Sequence, residues 1–228
     1  MIRRTVLLTL VSITLYAPSL RAQSLEAAFD QLDRTAGSFK SMSADIKRIL
    51  YTAAISDSAT DGGTMKLRRT KKDTKMLIEF SGTYAKTVSL EGETFKILYP
   101  RTKTIQIWNL GTNRSLVDQF LLLGFGATGD ELKKSYKITF AGEEKIDAQT
   151  TSHLVLIPKS EEVLKKLKKA ELWIQQAKGL PLQQKFTTSS DGDSTQVTYM
   201  NLKVNVPLND SDLQLKEPKG VKKEYPQR

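Results

Sequence analysis

Apolar positions along this chain recur with two different periods. Leu25, Ala28, Phe29, Leu32 and Ala36 follow one another at helical spacing, with Ser24 as an N-cap before them and Gly37 as a stop after them. This predicts an amphipathic helix over residues 25–36. From there the period becomes two. Ala44, Ile46 and Leu50, then Met65 and Leu67, then Met76, Ile78 and Phe80 alternate with their neighbours, and each run reads as a strand with one apolar face. Val88 and Leu90 lead through the hairpin signal Glu91-Gly92 into residues 94–99, where Phe95 and Ile97 share a side. The turn Pro100-Arg-Thr-Lys103 opens residues 105–110, with Ile105 and Ile107 on one face and Trp108 on the other. Strand signals return at 136–140, 153–157, 172–175, 182–186 and 195–201. Roughly ten or eleven strands joined by short turns predict an antiparallel meander.

One passage interrupts the alternation: Ser115-Leu-Val-Asp-Gln-Phe-Leu-Leu-Leu-Gly-Phe-Gly-Ala-Thr-Gly-Asp-Glu131. Its apolar centre is too short to span a bilayer and too greasy all round for a surface helix. Ser115 with Asp118 fits a capping box and Gly124 with Gly126 fits a stop, predicting a helix over 116–123. Thr128 with Glu131 repeats the capping pattern for a second short helix ending near Lys134, and Ser160 is placed to cap a third over 161–167. A large antiparallel sheet curls as its twist accumulates, and if it does not close, its concave face needs a cover. The predicted fold is therefore mainly β with covering helices, a curled antiparallel sheet forming an incomplete β-barrel lidded by short helices. Phe120, Leu121, Leu122, Leu123 and Phe125 then form the lid, the alternative being an ordinary core helix.

The ends of the chain change the picture. Residues 1–22 have the layout of a secretory signal peptide: Arg3 and Arg4, an apolar stretch from Thr5 to Tyr16, then Pro18 and small residues. Its removal takes away Arg3, Arg4 and Arg21 and no acid, lowering the formal net charge from +10 to +7. Residues 23–228 carry no Gly-, Pro- or Ser-rich linker and no repeat, so they read as one exported domain, expected in the periplasm as a monomer. With no cysteine in the chain, the fold rests on its core, and thiol catalysis and Cys-metal sites are excluded. The C-terminal stretch from Pro218 to Arg228 is polar and reads as a loose tail.

Basic residues cluster at 66–75 and 165–169. No aromatic residue interleaves them to stack on bases, which excludes nucleic acid as the partner. They read as a solvated hairpin tip and a solvated helix face, with steering toward acidic lipid headgroups as the alternative. Enzyme chemistry finds little to use. The single histidine, His153, starts a buried strand, no Gly-x-Ser-x-Gly elbow is present, and Glu143-Glu144 and Glu161-Glu162 sit at a turn and a helix start. No enzyme activity, cofactor or metal is expected.

Three stretches, in order, resemble the outer-membrane lipoprotein carrier family, the LolA-type periplasmic proteins. They are Leu90-Glu-Gly-Glu-Thr-Phe-Lys-Ile-Leu-Tyr-Pro100; Leu154-Val-Leu-Ile-Pro-Lys159 continued by Ala170-Glu-Leu-Trp-Ile174 and Gly179-Leu-Pro181; and Val197 to Asn205, closing with Leu213 to Val221. The resemblance implies a lidded half-barrel whose hydrophobic cavity carries lipoprotein acyl chains between inner-membrane release machinery and an outer-membrane acceptor. The same architecture serves sensors and adaptors, which would dock through a strand edge near residues 195–205. The family pins its lid with an Arg near an Arg-Pro pair. This chain has Arg68-Arg69-Thr70 without the Pro and Lys75 where a second Arg falls, leaving Arg68, Arg69 and Lys75 as alternatives for a lid latch. The implied cavity wall is Leu50, Leu67, Ile78, Val88, Phe95, Ile97, Ile105 and Ile107, a set that any one-residue slip would move to the outer face. Glycines 124, 126 and 129 would supply hinge freedom to the lid.

Overall fold

The structure is a computed structural model that describes residues 18–70, 73–188 and 191–227, with side chains from Leu25 onward. Helix α1 (Pro18–Ala36) precedes six strands: β1 (Ser41–Thr52), β2 (Asp57–Arg69), β3 (Thr74–Ser81), β4 (Lys86–Glu91), β5 (Thr94–Tyr99) and β6 (Thr104–Asn109). Helices α2 (Arg114–Leu121) and α3 (Gly129–Ser135) follow. The second run of strands is β7 (Tyr136–Ile146), β8 (Gln149–Pro158), β9 (Leu167–Gln175), β10 (Pro181–Thr188) and β11 (Ser194–Val204), with the short helix α4 (Glu161–Leu164) between β8 and β9. A last strand, β12 (Lys222–Glu224), ends the described chain.

All twelve strands form one sheet in the order β12-β6-β5-β4-β3-β2-β1-β11-β10-β9-β8-β7. It has two end strands and is not closed into a barrel. Every neighbouring pair is antiparallel except β12 with β6. Two meanders, β1–β6 and β7–β11, are thus joined side by side through β1 and β11, and the chain crosses from one to the other through α2 and α3. Close strand approach has a sequence cause at Gly63, where a Cβ would lie 2.1 Å from the Glu79 carbonyl oxygen of β3.

Alternation along the strands buries two apolar layers on the concave face. Under α1 and α3, Ala28, Phe29 and Leu32 pack with Leu132, Leu154, Leu156 and Leu172. Across β1–β4, Met42, Ile46, Leu67, Met76 and Leu90 pack with Phe125 and Tyr199. A third layer lies on the convex face, where Leu77, Leu98 and Ile105 are covered by Leu213 and Leu215.

Several boundaries differ from the pattern-based expectation. The predicted signal peptide falls mainly on residues 1–17, outside the described residues, and α1 begins at Pro18, ahead of the expected start at Ser24. The lid helix runs Arg114–Leu121 after N-cap Asn113, without the Ser115 capping box; Arg114 and Asp118 bond each other instead. The Thr128–Glu131 capping box forms as expected, with Glu131 N donating to Thr128 Oγ1 at 3.2 Å and Thr128 N donating to the Glu131 carboxylate at 2.8 Å. Ser160 caps only the four residues of α4. The loose tail is a correction as well: residues 222–224 extend the sheet as β12, and Lys222 N donates to the Lys103 carbonyl at 2.8 Å.

Candidate functional site

The concave face contains an apolar cavity of about 500 Å³ between the two meanders. Its walls come from both: Ile78, Val88, Phe95 and Ile97 on one side, Phe186 and Val197 on the other, with Ile46 and Tyr199 at the seam. Phe120 and Leu121 of α2 cover it. Phe120 meets Phe186 edge-on, ring centroids 6.0 Å apart. Most of these side chains are only half-buried, because the cavity leaves them unfilled space instead of close-packed neighbours. The volume lies within the range of about 300–1,000 Å³ usual for small-molecule sites. A larger hollow of about 740 Å³ opens where β11 runs beyond its pairing with β10, but Asp45, Asp147, Gln149 and Lys203 make it polar.

Four of the eight expected wall residues, Ile78, Val88, Phe95 and Ile97, line this cavity. Leu50 shares the concave face, opposite Thr195 of β11, but does not line it. Leu67 is fully buried in the layer around Phe125. Ile105 and Ile107 are corrections: they lie on the convex face, packed with Leu98 and the C-terminal segment. The register explains this, since Ile97 pairs with Gln106 and Phe95 with Trp108, leaving Leu98 opposite Ile105. Trp108 instead packs on Phe95, centroids 5.8 Å apart.

The five expected lid residues divide into two kinds. Phe120 and Leu121 line the cavity, and Leu122 is half-buried against the layer around Phe125. Leu123 and Phe125 are fully buried, Leu123 in the layer under α1 and Phe125 in the layer across β1–β4, so the loop after α2 is anchored in both meanders. Phe125 sits between Phe39, 5.8 Å away, and Tyr199, 5.1 Å away and perpendicular.

Polar contacts fasten the same loop. Arg69 Nη1 donates to the Gly126 carbonyl at 2.8 Å. Gly126 has φ +78, a backbone conformation that favours glycine, and a Cβ there would lie 2.8 Å from that same Arg69 nitrogen and push it aside. Its role is to fit rather than to flex. Of the three latch alternatives only Arg69 reaches the lid. Arg68 and Lys75 serve the convex side: Arg68 donates to the Leu208 carbonyl at 2.7 Å and pairs with Asp210, and Lys75 pairs with Glu91 at 2.6 Å.

Three residues that fasten the lid escape the periodicity. Gln184 Nε2 donates to the Leu123 carbonyl while its Oε1 accepts from the Tyr199 hydroxyl at 2.6 Å. Burial pushes the Tyr199 phenol far up from its ordinary value, so it remains a donor at every physiological pH. A polar residue at an inward position of the run Leu182 to Phe186 is the available signal. The third, Arg114, ties the start of α2 to the β2–β3 turn, donating to the Thr74 carbonyl at 2.6 Å and to Asp73 at 3.0 Å.

No protein-family model matches the chain, and no curated protein matches it. Among solved structures it is similar to an uncharacterized conserved protein from Thermus thermophilus, at TM-score 0.52 and 12% identity over 89% of this chain and 99% of that one. It is similar to MucB at TM-score 0.51 and 14% identity, over 84% of this chain but 63% of MucB. A LolA superfamily protein from Nitrosomonas europaea matches at TM-score 0.38 and 13% identity, over 86% of this chain and 98% of that one. At these identities the likeness to the Thermus thermophilus protein and to MucB is one of fold alone.

Proposed function

We propose that the chain is a periplasmic carrier that takes the acyl chains of lipoproteins, or of a related lipid, into the cavity beneath α2 and moves them toward the outer membrane. The observation that carries this reading is the apolar cavity itself, roofed by side chains that are only half-buried. Hydrocarbon is worth about 0.8 kcal/mol per buried CH₂, so such a hollow has a strong natural guest. Phe120 and Leu121 occupy part of the space when no guest is present. Uptake then exchanges one set of apolar contacts for another, and affinity stays moderate enough for release. On this reading residues 1–22 are removed on export and the remaining domain acts as a monomer between inner-membrane release machinery and an outer-membrane acceptor.

No helix among the described residues is long and apolar enough to cross a membrane, in keeping with a carrier that moves between membranes. The runner-up, a sensor or adaptor that docks through the strand edge at residues 195–205, keeps only part of that edge, since among the described residues just 199–204 lack a strand partner on one side. β11 is paired to β1 along residues 194–204 and to β10 over Ser194 to Thr198.

Placing charge in the cavity tests the carrier. Ile97→Glu should abolish retention of lipid in organic extracts of gently purified protein, read by mass spectrometry, while leaving the protein exported and folded. Unchanged retention would remove the cavity from the mechanism. Co-purification with an inner-membrane regulator in place of lipid would favour the sensor.

A further inference from the structure

The cavity on which the carrier reading rests is apolar in its walls but basic at its rim. Arg48, Lys86 and Lys166 line it, and no carboxylate does. Two of these cations share one ring: the Arg48 guanidinium lies 4.0 Å from the centre of Phe80, and Lys86 Nζ lies 5.5 Å from it. Arg48 has a partner in Asp61, with Nε to Oδ1 at 2.9 Å. Among the described residues, neither Lys86 nor Lys166 has a carboxylate within ion-pair distance. Burial, and then the neighbouring Arg48, push the Lys86 ammonium below its ordinary range. The site therefore holds positive charge close to an apolar hollow with too few anions to balance it.

Such an arrangement is matched by only one kind of guest. A wholly neutral hydrocarbon would fill the walls and leave the rim uncompensated, whereas a free anion would meet the rim and leave the walls empty. We infer that the cavity takes an amphiphile with an anionic lipid headgroup, its chain against Ile78, Ile97 and Val197 and its negative charge between Lys86 and Lys166. The inference deepens the carrier reading and depends on it. Arg48 orients the site through Phe80 and is held by Asp61, so the discriminating charge falls to the two lysines.

The test compares myristoyl lysophosphatidylglycerol, which is anionic, with 1-monomyristoylglycerol, which has the same chain and no charged group. Affinities of the mature chain are measured by titration calorimetry below the micelle concentration, with inorganic phosphate as a third probe. The anionic amphiphile should bind about tenfold tighter, the scale of two modest ion pairs. The Lys86→Gln, Lys166→Gln double variant should lose that preference and keep the affinity for the uncharged amphiphile. Its melting temperature should match that of the parent, because Lys166 is exposed and Lys86 half-exposed. Equal affinities in the parent, or a preference that survives in the double variant, would overturn the inference while leaving the carrier intact. Phosphate alone binding as tightly as the anionic amphiphile would overturn it in favour of a simple anion site. Binding of neither amphiphile would remove the carrier reading, and the inference with it.

Discussion

Helix α2 and the loop that follows it are neighbours in sequence and opposites in attachment. In α2 no residue is fully buried; Phe120 and Leu121 rest on a cavity, and the helix start is tied through Arg114. The loop from Leu123 to Gly126 is buried throughout, with Leu123 in one meander, Phe125 in the other, and the Leu123 and Gly126 carbonyls held by Gln184 and Arg69. The greasy passage is therefore neither a plug that leaves as a unit nor an ordinary core helix. Its second part is core that joins the two halves of the sheet, and its first part is a flap hung from that core. On the carrier reading, opening would disturb only the partly buried side chains of α2 that rest against the two layers and would leave the buried Leu123 and Phe125 in place.

The contrast is broken most forcefully at Phe125. Truncation to Ala removes a fully buried ring from between Phe39 and Tyr199 and should cost about 3–5 kcal/mol in chemical denaturation. Phe120→Ala, on the same segment, should cost about 1 kcal/mol or less, since its ring is only half-buried and borders the cavity beside Phe186. Comparable losses at the two sites would mean that the segment behaves as one unit. Next in size is Arg114→Gln, which releases α2 from the β2–β3 turn. It should lower stability by about 1–2 kcal/mol. It should also speed amide hydrogen exchange over residues 115–121 while leaving 123–126 protected.

The smallest effect separates the flap from the C-terminal segment on the convex face. Hydrogen bonds and charge from Arg68 and Lys75 hold the Asp210 carboxyl below its ordinary range, and Lys96 and Lys223 do the same for Glu217. A carboxyl with a lowered folded pKa stabilises above its unfolded value and loses that contribution as pH falls through the folded one. Below pH about 4 the segment from Leu208 to Glu224 should loosen. Limited proteolysis with an acid protease reads this as cleavage within the segment. The loop at 123–126 should stay protected, because no carboxylate takes part in the bonds that anchor it.

Eleven of the twelve strands were legible as apolar runs, most of them alternating, because most have one face against the concave layers. The same signal gave the wrong direction in β6, where both faces are covered: Trp108, on the face of Thr104 and Gln106, packs on Phe95, while Ile105 and Ile107 lie beneath Leu213 and Leu215. Alternation reports that a face is covered and not by what, so two covered faces erase its direction. The covering segment was itself hidden, since β12 is three residues long and gains its place from pairing with β6. The cavity was half legible for a related reason. Ile78, Val88, Phe95 and Ile97 follow from strand parity, but Phe186 and Val197 come from the other meander, and only the pairing of β1 with β11 brings them together. Gln184 and Arg114 act through a few hydrogen bonds to backbone, hydroxyl or acid groups, which leave no periodic trace.

Photo-crosslinking with a diazirine-bearing myristoyl amphiphile, mapped by peptide mass spectrometry, asks directly where a hydrocarbon chain sits. The account predicts label on the concave peptides that contain Ile78, Ile97, Phe120 and Val197, and its loss in Ile97→Glu. Label concentrated on the convex peptides around Ile105 and Leu213, or unchanged in that variant, would contradict it.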